Sequence, residues 1–176
     1  MFKKSMDELQ RMTVAEFKDA VKTPIAVVLE NIRSMHNVGS VFRTADAFRI
    51  EKMFLCGYTP LPPHRDIHKT ALGSTESVIW EGFENPLEAI AQLKNEGYKI
   101  YAIEQVHNSI FLNKLEVNVN EKIALIFGNE ADGVSEELIE LSDGCIEIPQ
   151  AGSKHSFNIS VAAGIVLWHL YNKIKL

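Results

Sequence analysis

A chain of 176 residues, 46% of them apolar, is the size of one domain that buries roughly 70% of its unfolded surface, and its short apolar runs exclude a bilayer-spanning helix. A formal net charge of −5 excludes strong attraction of polyanions by the chain as a whole, although a local basic patch on an acidic protein still binds phosphate. Two lone cysteines, Cys56 and Cys145, stand outside any CxxC pairing; this excludes a disulfide framework and points to reduced thiols in a cytoplasmic protein.

The opening MFKKSMDELQRM has two lysines but neither an apolar core nor a small-residue cleavage site, so no signal peptide is expected. Residues 5–21 read as a short helical arm, and Thr13 with Glu16 has the spacing of a capping box that starts a second helix inside it. Pro24 stops the arm, which sets residues 1–22 apart as an N-terminal helical arm and leaves residues 23–176 as one domain. The run IAVVL at 25–29 is short, apolar and partly β-branched, the pattern of a strand buried on both faces. After a polar loop, Val38, Val41, Phe42, Ala45 and Phe48 recur at helical spacing, and residues 53–56 form the next strand. Residues 58–69, YTPLPPHRDIHK, are rich in proline and polar side chains and read as largely loop.

A strand at 78–80 follows, then a helix at 86–96 with Pro86 in its first turn and a strand at 100–103. Further on come a strand at 123–127, a short helix at 135–141 and a strand at 145–148. The chain closes on a helix at 159–174 with Ile159, Ala162, Ala163, Val166, Leu167 and Leu170 on one broad face. Strands alternating with helices predict an α/β fold, a mostly parallel sheet with helices on both faces. There is no internal repeat and no low-complexity tract.

In open α/β sheets ligands bind beyond the carboxyl ends of the strands, and three such ends here carry unusual polar residues. They read NIRSMHNVGSVFRTADAF from Asn31, IFGNEADGVS from Ile126, and IPQAGSKHSFNISVAA from Ile148. These three segments, in this order, resemble the three signature motifs of the SpoU (TrmH-like) family of RNA ribose methyltransferases, within the SPOUT superfamily. The resemblance covers roughly residues 24–174. It implies transfer of a methyl group from S-adenosyl-L-methionine to a ribose 2′-hydroxyl in tRNA or rRNA. It also implies a homodimer built on the last helix and the first motif, with each active site close to the interface. A C-terminal trefoil knot is implied in the same way and by the resemblance alone, since knots are very rare.

Residue by residue, Arg43 reads as a guanidinium that grips an RNA phosphate and steadies a developing 2′-alkoxide, placed one turn into its helix and aimed at the strand ends. The plain alternative is a surface arginine paired with Asp46 or another acid. A guanidinium with a pKa above roughly 12 holds its proton at neutral pH, so orientation and charge stabilisation suit it better than a role as base. Asn37 reads as a holder of its loop, and Glu130 as a carboxylate that orders the arginine and its neighbourhood or caps a helix. Ser156 and Asn158 precede the last helix, where an N-cap is the bland role; the resemblance adds a place in the cofactor and ribose pocket. The cofactor is expected against the loops at Gly128, Asn129 and Gly133, at Ile148 and Phe157, and near Glu104, with recognition mainly by backbone groups.

Other chemistries fit poorly. GNEADGVS has Val134 where a phosphate loop needs lysine, His64 and His68 have no glutamate placed between them, and neither a GxSxG elbow nor a GxGxxG turn occurs. No metal site is therefore expected. A non-catalytic RNA-binding or nucleotide-binding module retaining the fold, and methylation of a non-RNA target, are the rival readings. Positive charge concentrates in the first third of the chain, and the 58–69 segment, the dimer surface or a partner protein is expected to supply RNA recognition.

Overall fold

The computed structural model describes residues 2–5, 8 and 11–175. Helix α1 (Val14–Asp19) precedes β1 (Thr23–Glu30), α2 (Met35–Ala47), β2 (Ile50–Cys56), α3 (Arg65–Ala71), α4 (Ser74–Ser77) and β3 (Trp80–Phe83). Then come α5 (Pro86–Asn95), β4 (Lys99–Ile103), β5 (Ile110–Phe111), β6 (Ile123–Phe127), α6 (Glu136–Leu141), β7 (Gly144–Glu147) and α7 (Ile159–Lys175). The seven strands form one sheet in the order β3-β2-β1-β6-β4-β7-β5, and every strand pair in it is parallel. A parallel sheet flanked by helices is thus the observed architecture.

Side chains alternate across the sheet with period two, and here both sets are apolar. From β1 and β6, Ile25, Val27, Leu29, Leu125 and Phe127 join Phe42 of α2 and Val166 and Leu170 of α7 in one core layer. Ala26, Val28, Ala124 and Ile126 join Ile90 and Leu93 of α5 and Leu138 of α6 in the other. Helices on both faces explain why these strands read as unbroken apolar runs rather than alternating ones. Strand order also departs from chain order. Strand β6 lies between β1 and β4, and β7 lies between β4 and β5, so the last two strands sit between strands laid down earlier.

Several expectations need correction. The 58–69 segment is not largely loop throughout: residues from Arg65 onward form α3, with Ile67 and Ala71 buried against the body. The strand expected at 78–80 lies later, at Trp80–Phe83, because Val78 closes α4 and the edge strand has exposed or half-buried side chains instead of an apolar run. Pro24 lies inside β1, where the pairing with β2 slips between Thr23 and Ala26. Of the N-terminal arm, the capping box at Thr13 and Glu16 is present, but residues 6, 7, 9 and 10 lie outside the described residues. Phe17 of α1 is buried in the main core. Cys56 and Cys145 are free and buried, and burial pushes the Cys56 thiol up to about 12, with the nearby Glu30 charge adding to the effect.

Helix α3 rides closely on α2 at Gly39, where an added Cβ would fall 2.3 Å from the Ile67 carbonyl oxygen and 2.2 Å from the Thr70 hydroxyl. The Thr70 hydroxyl in turn donates to the His36 carbonyl at 3.0 Å. Gly39→Ala is expected to destabilise by about 1–3 kcal/mol, because overpacking against backbone outweighs the gain in helix propensity. Urea unfolding checks this: the midpoint should fall with the slope unchanged, and an unchanged or higher midpoint would contradict the close approach.

Candidate active site

All parallel strands deliver their carboxyl ends to one edge of the sheet, and there a cavity of about 650 Å³ opens. That volume is in the range of small-molecule sites, roughly 300–1,000 Å³. Ile103, Phe127, Ile146, Ile148, Phe157 and Ala162 give it apolar walls, and Glu104, Glu130, Asp132 and Glu147 bring carboxylates to it.

The turn after β6 forms one wall. Asn129 and Gly133 exchange backbone hydrogen bonds at 2.9 and 3.0 Å, closing a tight loop over Glu130, Ala131 and Asp132. Gly133 has φ +73°, and a Cβ on it would lie 2.2 Å from Glu104 Oε2; a Cβ on Gly128 would lie 2.1 Å from the Gly133 carbonyl group. Backbone therefore packs on backbone, and no side chain fits at either glycine. Glu104 pins the turn by accepting from the Val134 amide at 3.1 Å and the Gln105 amide at 2.9 Å. The Asn129 side chain is fully engaged. It donates to the Asn31 carbonyl and the Tyr58 hydroxyl, and it accepts from the Ala131 and Asp132 amides. What Asn129 offers the cavity is packing surface, because its polar atoms are committed.

Glu130 joins that turn to the start of α2. Its carboxylate accepts from the backbone amides of Arg33 at 3.0 Å and Ser34 at 3.2 Å and from Asn37 Nδ2 at 3.1 Å. Partial burial raises the Glu130 carboxyl, but these donors outweigh it and hold the group below the usual carboxylate range. Asn37 Oδ1 accepts from Asn158 Nδ2 at 3.2 Å, so the three strand-end segments meet in one hydrogen-bonded chain. Asn158 also caps α7, accepting from the Ser160 amide at 2.9 Å. Ser156, Phe157 and Ile148 line the cavity beside it, and Gln105 Nε2 donates to the His155 carbonyl at 3.0 Å, tying the loop down.

Arg43 stands apart from this group. Ser34 starts α2 at Met35, so Arg43 is more than two turns into the helix rather than one, and it does not line the cavity. It is exposed and has no ion-pair partner among the described residues; Asp46, its expected alternative partner, accepts from the Ser77 hydroxyl instead. At about 100° per residue, Arg43 shares one stripe of α2 with exposed His36 and half-buried Ser40.

Sequence reasoning missed three contributors. Glu30, buried at the end of β1, accepts from the Ser135 amide at 3.0 Å and steadies the start of α6. Thr59 is buried too, donating to the Leu29 carbonyl and accepting from the Ile32 amide. Tyr58 projects outward beside Arg33, whose charge its hydroxyl stabilises. All three act across 25 or more residues of chain, so no local pattern marks them. Among the described residues no group of three or more His, Cys, Asp or Glu stands close enough to hold a metal ion.

The sequence profile described as the SpoU rRNA Methylase family matches residues 24–168. The chain is 31% identical over 169 residues to a tRNA (guanosine(18)-2′-O)-methyltransferase of Aquifex aeolicus, covering 96% of this chain and 76% of that protein. It is 32% identical over 161 residues to the enzyme of the same name from Thermus thermophilus, covering 92% and 81%. Among solved structures, the A. aeolicus TrmH/SpoU tRNA modifying enzyme superposes with TM-score 0.79 at 26% identity, over 91% of this chain and 81% of that one. An AdoMet-bound rRNA methyltransferase from Sinorhizobium meliloti does so with TM-score 0.78 at 26% identity, over 89% of this chain and 59% of that one.

Glu130→Ala is expected to cost about 1 kcal/mol near neutral pH, a small figure because the carboxylate is exposed enough for water to screen it. The native carboxyl is depressed, so its contribution is complete above its unfolded value near 4.5 and is lost as pH falls through the lower folded value. Denaturation of parent and variant at pH 7 and pH 3 checks this. The gap should narrow at the lower pH, and a gap as wide there as at pH 7 would contradict the clamp.

Proposed function

Because this chain belongs to the SpoU rRNA methylase family, we propose that it transfers a methyl group from S-adenosyl-L-methionine to a ribose 2′-hydroxyl of tRNA or rRNA. The observation that carries the reading is the hydrogen-bonded chain Glu130–Asn37–Asn158, which joins all three motif segments at the rim of one cavity. Relatives named for tRNA and for rRNA keep both substrates in view.

The cavity suits this cofactor in chemistry. Apolar walls at Ile103, Ile146 and Ile148 fit a flat purine, and the carboxylates at Glu104 and Glu130 suit a cationic methionine end. Backbone groups at Gly128, Ile148 and Phe157 would hold it; Gly133, its amide committed to the turn, and Asn129 would contribute contact surface. When bound, S-adenosylmethionine supplies a methyl group that its positive sulfur makes electrophilic without a metal.

The chain's own task is to seat the ribose, hold its 2′-oxygen in line, and steady the charge that grows there. Ser156 and Asn158 present a hydroxyl and an amide at the rim, and Glu130 acts through Asn37 to fix where Asn158 stands. Arg43 serves as a positive charge on a flanking phosphate and on the developing oxyanion, the part a planar guanidinium plays best. Helical side chains tilt toward the helix N-terminus, which leans this long one back over Ser40 toward the cavity edge. The 2′-hydroxyl proton leaves to a phosphate oxygen or to solvent.

We read the assembly as a homodimer. Helix α7 leaves Val161 48% and Trp168 52% exposed along a groove of about 570 Å³, an apolar face that a second copy would cover. The passage through β6, β7 and α7 is read as the family's trefoil knot, supported by the insertion of both strands between earlier ones. The cytoplasm is the proposed location, where the unpaired Cys56 and Cys145 stay reduced.

Labelled methyl from S-adenosylmethionine should appear in unmodified tRNA or rRNA and be recovered after digestion as a 2′-O-methyl nucleoside. Arg43→Ala should lower transfer by about 100-fold or more while cofactor affinity stays near that of the parent. No transfer to either RNA by protein that binds the cofactor would refute the reading. Trp168→Glu should shift the protein from dimer to monomer in sedimentation; a parent that sediments as a monomer would refute the homodimer.

A further inference from the structure

The chain is acidic overall, at −5, yet the charge around the cavity is lopsided. On one flank α6 displays Glu136, Glu137 and Glu140, all exposed, with exposed Asp132 just before it. On the other flank, residues 31–47 and 57–77, which take in α2, α3 and α4, contain Arg33, Arg43, Arg65 and Lys69 against Asp46, Asp66 and Glu76, and Asp46 is turned inward to the Ser77 hydroxyl. A polyanion approaching the cavity is repelled from the first side and drawn to the second.

The second side is a built surface rather than scattered charge. Helix α3 buries Ile67 and Ala71 and turns Thr70 onto α2, which leaves Arg65, His68 and Lys69 on its outer face. Asp66 is engaged by Lys69 at 2.6 Å and lies 3.8 Å from Arg65, so the three side chains together carry one net positive charge on this face. Gly39, where α3 packs, borders the α2 stripe of exposed His36 and Arg43 with half-buried Ser40 between them. The two helices together make one shoulder. It reaches the cavity through Asn37 and Asn158 on one side and through Tyr58 on the other.

Tyr58 gives the shoulder its inner end. Its amide donates to Asn31 Oδ1 at 3.2 Å and its hydroxyl accepts from Asn129 Nδ2 at 2.6 Å, yet 55% of the residue is exposed. An aromatic ring anchored at its polar atoms and open on its face, beside Arg33, is a stacking surface for a base.

We propose that the α2–α3 shoulder is the RNA-docking surface: phosphates run along Arg65, Lys69, His36 and Arg43, and Tyr58 stacks a base where the strand turns into the cavity. The proposal rests on the methyltransferase reading and adds the direction from which RNA enters. Single-strand contacts each contribute about −0.7 to the slope of log affinity against log salt. Removing two should make that slope shallower by about 1.4.

Binding of unmodified tRNA and rRNA transcripts is measured across a salt series for the parent, R65Q/K69Q, R65E/K69E, E136Q/E140Q and Y58A. The glutamine pair should flatten the salt slope as stated. Charge reversal should weaken affinity by about tenfold or more near 0.15 M salt, and Y58A by about tenfold. Cofactor affinity and oligomeric state should match the parent in the Arg65, Lys69 and α6 variants, and the α6 pair should not weaken RNA binding. If R65Q/K69Q and R65E/K69E bind RNA with the parent's affinity and salt slope while the parent methylates it, the shoulder is refuted and the methyltransferase reading stands. A parent that binds neither RNA refutes both. A change of oligomeric state in R65E/K69E assigns the surface to subunit contact and overturns the proposal.

Discussion

Everything at the working edge of the sheet depends on how the amides after β1 find acceptors. In a parallel sheet no hairpin returns at the strand's end, and the first amides of α2 have no partner within their own helix. Water would satisfy them, but it would leave the loop free. Here Glu130 accepts from Arg33 and Ser34, and Ser34 Oγ accepts from the Asn37 amide. A carboxylate placed at a helix N-terminus is further favoured by the helix dipole. The same carboxylate orients Asn37, and Asn37 orients Asn158. One acid, fixed by the backbone's need for acceptors, thereby sets the positions of side chains from segments about 100 residues apart in sequence.

This explains the kind of residue found at each point. Gly128 and Gly133 are needed because the turn carrying Glu130 must lie flat on its own backbone and against Glu104. Asn129 is needed because only a side chain with two donors and two lone pairs closes the turn and reaches both Asn31 and Tyr58. Such residues look polar and reactive in sequence, yet most of their bonding capacity is spent on holding shape. The atoms left to meet a ligand are fewer: those of Ser156, the cavity-facing carboxylates and the backbone around them.

Much of the fold was legible in the sequence because burial on both faces writes itself as unbroken apolar runs. Residues 25–29 and 123–127 became the central pair of strands, and the capping box at Thr13 and the proline start of α5 lie where they were expected. Legibility failed where burial is one-sided or local cues compete. Helix α3 was hidden behind three prolines and offers only Ile67 and Ala71 to the core. Strand β5 is two exposed residues, recognisable only through its partner β7. At the site, the segments that meet were visible as strand ends, but the pairing of Glu130 with α2, the long reach of Glu30 and the anchoring of Tyr58 are tertiary. Arg43 was placed too near the strand ends because the helix start at Met35, not the first apolar residue, sets the turn count.

The insertion of β6 and β7 between earlier strands has a consequence for how the chain acquires its shape. Until residues 123–127 arrive, β1 and β4 have no common neighbour, and each keeps an open edge of unpaired amides and carbonyls. The first 120 residues therefore cannot complete the sheet as they emerge from a ribosome; β1 and β4 are joined only when the strand between them has been made. Pairings that wait for distant sequence form slowly and leave edges exposed to other chains in the meantime. Once α7 has closed against α2 and β1, the order of events works in reverse. Each of the two central strands then has a parallel neighbour on both sides, so neither leaves the sheet without breaking two ladders, and that cooperative loss slows unfolding.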